Sequence, residues 1–119
     1  MIHSFDAEIA EKYGVNVAIL FNHMSYWLQH NEANNKNFYD GEYWTFNSIA
    51  AFKEIFPYMG EKSIRNALTK MEDAKLIITG NYNKLNYDRT KWYALGKIGK
   101  SICLKGRIEV TQRANLYQI

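Results

Sequence analysis

The sequence predicts an α+β fold, mainly α, and three observations carry that prediction. The stretch Ser63-Ile64-Arg65-Asn66-Ala67-Leu68-Thr69-Lys70-Met71-Glu72 is periodic. At helical spacing Ile64, Ala67, Leu68 and Met71 share one face, while Lys62, Arg65, Asn66, Thr69 and Asp73 share the other. A shorter helix signal from Asn47 to Phe56 ends at Pro57, and Pro57-Tyr58-Met59-Gly60 makes a tight, Gly-containing joint between the two. Downstream, the strand formers of Leu76 to Thr79 and Thr90 to Leu95 flank a turn-rich polar tip, Gly80 to Arg89. Two helices across a short turn followed directly by a long-tipped hairpin specify a winged helix-turn-helix with its core in residues 43–95.

The remaining elements fill in around that core. Asp6 is a good N-cap for a short helix from Ala7 to Tyr13, which Gly14 ends in a left-handed conformation. Asn16 then caps a longer helix, Val17 to about His30, with an apolar stripe of Val17, Leu20, Phe21, Met24, Trp27 and Leu28. Ile19, His23 and Tyr26 lie off that stripe. A second apolar side calls for a second cover, either the C-terminal tail through Ile102, Leu104 or Leu116, or another copy of the chain. Asn31 to Asp40 reads as an aperiodic polar loop closed by the turn signal Asp40-Gly41. Tyr43 to Phe46 is a short strand, which makes the sheet three-stranded, and Asn47 caps the helix that buries Ile49, Phe52 and Phe56. The domain is therefore expected over residues 1–95 with its helical N-terminal extension. Residues 96–119 are left as a tail, loop-like or weakly helical to Lys100 and with a possible strand at Arg107 to Val110.

A chain of 119 residues is long enough for one core and too short for two. No apolar run approaches bilayer length and the first residues lack the pattern of a signal peptide, so the expected setting is cytoplasmic. The single Cys103 has no partner for an internal disulfide or a thiolate zinc site and reads as a small hydrophobe. His23 and His30 sit seven apart without the third and fourth ligands that a metal needs, so they read as structural. Neither a phosphate-cradling Gly-rich loop, a nucleophile elbow, nor a carboxylate pair in an apolar setting is present, and no enzyme or cofactor is expected.

Charge sharpens the reading. Residues 1–56 carry three lysines against seven acids, a balance of −4, whereas residues 57–119 carry twelve Lys and Arg against five acids, a balance of +7. A basic half that contains a helix-turn-helix is the electrostatic footprint of a nucleic-acid binder. On the second helix Lys62, Arg65 and Asn66 are candidates for base edges, since Arg matches guanine and Asn matches adenine, with Ser63 beside them. Thr69 and Lys70 fall further along and suit phosphate. In the hairpin tip Lys84 and Arg89 suit phosphate or the minor groove, with Asn81, Asn83 and Asn86 as neutral hydrogen-bonding groups. Tyr82 and Tyr87 either stack on unpaired bases or pack on their own hairpin. Trp44, Trp92 and Tyr93 read as core, and Glu61 and Asp88 as ion-pair partners.

Several of these stretches carry a family resemblance. Trp44-Thr45-Phe46-Asn47-Ser48, Ser63 to Leu68, Leu76-Ile77, and above all Asn81-Tyr82-Asn83-Lys84 with Asp88-Arg89-Thr90-Lys91-Trp92-Tyr93, resemble the N-terminal winged-helix domains of bacteriophage replication-initiation proteins. Those domains are related to the DnaD-like replisome organisers of low-GC Gram-positive bacteria. The helix pair with Ser25-Tyr26-Trp27-Leu28 is similar to the segment that precedes the winged helix there, and the likeness spans roughly residues 5–95. It implies sequence-specific binding of double-stranded DNA at a replication origin, with host replication or helicase-loading proteins as further partners. A protein-interaction or oligomerisation module, with a homo-oligomer built through the N-terminal helices, is the alternative, and transcriptional regulation is a third.

Overall fold

The computed structural model describes residues 2–105, which form an α+β fold of five helices and two small antiparallel sheets. Helix α1, Ala7–Tyr13, begins at Asp6, whose carboxylate accepts from the backbone N–H groups of Glu8 at 2.8 Å and Ile9 at 3.3 Å. Gly14 ends it at φ +99°, ψ 156°, an extended backbone of the kind only glycine adopts readily rather than the compact left-handed cap expected. The same residue starts helix α2, Val15–Ala33, so Asn16 lies in the first turn and is not the cap. With one residue between them, the two helices pack as a pair.

Helix α2 is buried on more than one side, which is why its apolar stripe misleads. Val17, Leu20, Phe21, Met24 and Leu28 are buried as expected, but so are Ala18 and Ile19, while Trp27 is 39% exposed and Tyr26 62%. Its C-terminal end reaches into the Asn-rich run. Asn34 donates from its amide to the His30 carbonyl at 2.7 Å, and Asn35 takes φ +54° while the Lys36 N–H closes on the Asn31 carbonyl at 2.9 Å. The run expected to be a shapeless loop is thus a helix cap followed by a hairpin. Strands β1, Phe38–Tyr39, and β2, Glu42–Tyr43, pair across Asp40-Gly41, both at positive φ, in a two-residue turn matched to strand twist.

The strand read at Tyr43 to Phe46 is divided: Tyr43 belongs to that hairpin, and β3, Thr45–Asn47, begins a second sheet. Ser48, one residue later than predicted, caps helix α3, Ile49–Ile55, by accepting from the Ala51 N–H at 3.1 Å. Helix α4, Glu61–Asp73, follows and buries Ile64, Ala67, Leu68 and Met71 as its periodicity requires. Its end closes with Lys75 at φ +59° where glycine is usual, the Leu76 N–H reaching the Met71 carbonyl at 2.9 Å. Strands β4, Ile77–Gly80, and β5, Lys91–Leu95, complete a sheet in the order β3-β5-β4. The register sets Phe46 against Trp92, and Trp92 against Gly80.

The inner face of this sheet is covered and the outer face is covered in part, Phe46 and Ile78 staying exposed. The inner face meets the helices in one core that includes Phe52, Phe56, Leu20, Met24, Ile64, Met71, Ile77 and Tyr93. On the outer face Trp44, Trp92 and Ala94 form a second cluster with Tyr82 against it. Tyr39 of the small hairpin stacks on Tyr82 at 4.8 Å and 11°, and the Tyr82 hydroxyl bonds Asp40. Gly80 is needed at its place because a Cβ there would lie 3.0 Å from the Trp44 ring.

Of the two readings of the stretch after Leu95, loop-like or weakly helical, the helical one holds and extends beyond Lys100. A fifth helix, α5, covers residues 97–105 and is docked by backbone contacts: the Gly96 N–H reaches the Leu76 carbonyl at 2.9 Å and the Ile98 N–H the Lys75 carbonyl at 3.0 Å. Ile102 and Cys103 pack on the main core, the Cys103 thiol 3.7 Å from the Ser25 hydroxyl. Leu104 is 59% exposed, so the described part of the tail leaves Tyr26 uncovered. Arg107 to Val110 and Leu116 lie outside the described residues. No helix among the described residues is long and apolar enough to cross a membrane.

Candidate nucleic-acid interface

Because the buried face of α4 is fully committed to the core, its other side is held outward at a fixed angle. Lys62, Arg65, Asn66, Thr69 and Lys70 are all exposed and Ser63 is half-buried. The helix crest divides these side chains. Ser63, Asn66 and Lys70 line a cleft against Tyr13 to Val17, where α1 turns into α2. Arg65 and Thr69 line a second cleft with Asn47, Glu72, Thr79, Lys91 and Tyr93. Arg65 and Asn66, two of the three candidate base readers, are therefore neighbours in sequence that border different clefts.

Four side chains of the second cleft, Arg65, Thr69, Glu72 and Thr79, already have partners. The Arg65 guanidinium donates to Glu61 Oε1 from Nη2 at 2.8 Å and from Nε at 3.3 Å, one helical turn back. Both groups are well exposed, so the pair contributes only about 0.3–0.5 kcal/mol and yields readily to a stronger acceptor. The Thr69 hydroxyl donates to the Arg65 carbonyl at 3.0 Å. Glu72 accepts from the Thr79 hydroxyl at 3.2 Å and closes the far end of the second cleft. Its floor is Tyr93, whose phenol is pushed up to about 12 by burial and then by Glu72, so it stays neutral. Lys91 is the residue that the sequence reading missed. It sits two positions from Tyr93 on the same strand, and that spacing alone puts both on one face of the sheet.

The hairpin tip holds a correction. Asn83, expected to hydrogen-bond DNA, spends its side chain inside the loop: its amide donates to the Thr90 carbonyl at 2.7 Å and the Asp88 carbonyl at 3.0 Å, and its oxygen accepts from Trp92 Nε1 at 2.7 Å. Asn81 supports it by accepting from the Asn83 N–H at 2.9 Å. Tyr82 is packed among Tyr39, Trp44 and Trp92, so of the two tyrosines left open it is the one turned inward, while Tyr87 is 80% exposed. Among the described residues Asp88, expected as an ion-pair partner, forms no ion pair. It accepts from the Thr90 N–H at 3.0 Å, and that bond lowers its pKa. Lys84, Asn86 and Arg89 remain exposed on the loop that Asn83 ties together.

Asn83→Ala should therefore act on the loop before it acts on any ligand. It strands the indole N–H and two carbonyls, at a cost of about 2 kcal/mol in a urea melt. Unchanged stability with weakened DNA binding would return Asn83 to the contacting set.

Among the described residues two ion pairs form, Arg65–Glu61 and Lys100–Glu42. Lys62, Lys70, Lys75, Lys84, Arg89 and Lys91 have no carboxylate partner there. No three His, Cys, Asp or Glu side chains among the described residues converge in a way that could hold a metal ion. No family model, curated protein or solved structure matches this chain.

Proposed function

We propose that the chain is a winged helix-turn-helix module that binds double-stranded DNA, with α3 and α4 as its helix pair, α4 in the major groove and the β4–β5 loop as the wing. The observation that carries this reading is the set of cations on α4 and the hairpin that have no carboxylate partner among the described residues, displayed by elements whose opposite faces are fixed in the core. Lysines without a carboxylate partner are free to neutralise phosphate, and a rigid helix with exposed Arg and Asn can present a base-reading edge. Action at a replication origin rests on the resemblance in the hairpin and helix motifs, and it is proposed on that ground alone.

Protein interaction through the N-terminal helices loses ground because Ile19 is 8% exposed, buried within its own chain, which leaves Tyr26 and Trp27 as the aromatic surface of α2. The test is a salt titration of affinity for a random duplex. A steep linear fall of log K with log salt supports the module, and no binding at low salt rejects it.

Arg65→Ala and Asn66→Ala should each reduce discrimination between a selected site and random duplex by about 1–3 kcal/mol, the worth of a bidentate contact to a base edge. Competition binding on the two duplexes measures this. Equal weakening on both would assign the residues to phosphate.

A further inference from the structure

An open groove among the described residues lies apart from α4. It has a volume of about 660 Å³ and runs along α2, walled by the N-terminal residues Ile2 to Ser4, by β3 and by the end of α3. Tyr26, Trp27 and Phe46 stand at it with exposed rings above the buried Ile19 and Phe56. None of its lining residues is Asp, Glu, Lys or Arg, in a chain that is 23% charged, so whatever it holds carries no charge where it makes contact.

Polar groups without partners collect in the same place. Asn37 and Asn47 are half-buried residues whose side-chain amides make no hydrogen bond among the described residues and remain open to solvent. His23 is half-buried with only ring neighbours, Phe56 at 5.3 Å and Trp27 at 6.5 Å. His3 donates or accepts through Nδ1 with the Tyr58 hydroxyl at 2.7 Å, but its Nε2 is buried without a partner. Burial, and then the nearby His3, lower the His23 pKa, which keeps that imidazole neutral with one donor and one acceptor.

We propose that this groove binds a small uncharged molecule with a planar ring whose edge carries a donor beside an acceptor, the chemistry of a nucleobase or free nucleoside. A carboxamide presents a donor and an acceptor in one plane, which is how asparagine matches such an edge, and the exposed rings supply faces for stacking. The volume is that of small-ligand sites, and the missing cations disfavour a phosphorylated ligand. Asn47 also lines the cleft beside Arg65, so an occupant that holds its amide touches a residue shared with the proposed DNA face.

Trp27 is the most exposed of the three tryptophans, Trp44 and Trp92 being 3% and 7% exposed, so indole fluorescence reports on this groove. Titration of the full chain with adenosine should give saturable quenching, no tighter for adenosine monophosphate. Asn37→Asp keeps a residue that tolerates the φ of +56° there, yet it removes the donor and introduces a charge. It should weaken adenosine binding about tenfold with an unchanged melting temperature. Asn47→Asp is the second variant, with the same expectation. The proposal is overturned by the absence of saturable quenching through the millimolar range, by wild-type affinity in both variants, by much tighter binding of the monophosphate, or by equal quenching with cyclohexanol, which would mark a merely apolar surface.

Discussion

Replacing Lys70, Lys84, Arg89 and Lys91 together by alanine is expected to lower the affinity for random duplex DNA roughly a thousandfold at about 0.15 M salt. Each phosphate neutralised releases about 0.9 of a counterion, so four lost contacts remove about 3.6 from the salt slope and close to three decades at that salt. All four side chains are exposed and none has a carboxylate partner among the described residues, so their loss leaves no buried charge behind and the fold should stand. Thermal melting by circular dichroism checks the fold, and fluorescence anisotropy across a salt series checks the slope. A slope that changes by less than about one ion would place the DNA face elsewhere on the molecule.

Gly99→Ala is expected to be the most damaging single methyl group, at a cost of about 3 kcal/mol. A Cβ at Gly99 would stand 2.1 Å from the Leu76 carbonyl oxygen, and one at Gly96 would stand 2.4 Å from that of Lys75. Both obstacles are backbone, so no side-chain rotation relieves them and α5 must lift from the turn that ends α4. For a domain of this size the loss corresponds to a fall in melting temperature of more than about 10 °C. Gly60→Ala is the control, since nothing lies within 4 Å of a Cβ there. If Gly99→Ala melts like that control, α5 is not docked as described.

These two glycines also explain what the sequence concealed. Residues 96–100 read as loop-like or weakly helical and those from Ser101 as poorly patterned, yet Gly99 is there to let a helix over residues 97–105 approach a carbonyl, and tertiary contact overrides local propensity. The Asn run after His30 was opaque for a related reason. Asn35 and Asn37 take φ of +54° and +56°, so their polar side chains signalled backbone shape where only polarity was read. The long helix α2 packs on several sides, so a single stripe could not tell Trp27 from Ile19. Helix α4 was legible because it has one buried face and one free face, and 3.6-residue spacing records that division directly. Among the candidate contacts the spacing placed the α4 residues outside, but it gave no sign that Asn83 works within its own loop, since a turn asparagine and a DNA-binding one look alike in a sequence.

The buried Asn31 has a consequence for how copies of this chain behave at high concentration. β3 is an edge strand, and such edges template pairing between molecules. Here the Asn31 amide donates to the Trp44 carbonyl at 2.8 Å, and the Trp44 N–H is taken by the Asn37 carbonyl at 2.9 Å. Both backbone groups at the entrance to the strand are thus occupied from within the chain. An incoming strand finds neither the acceptor nor the donor that it would need to begin a ladder, and the three-residue strand beyond is too short to hold one.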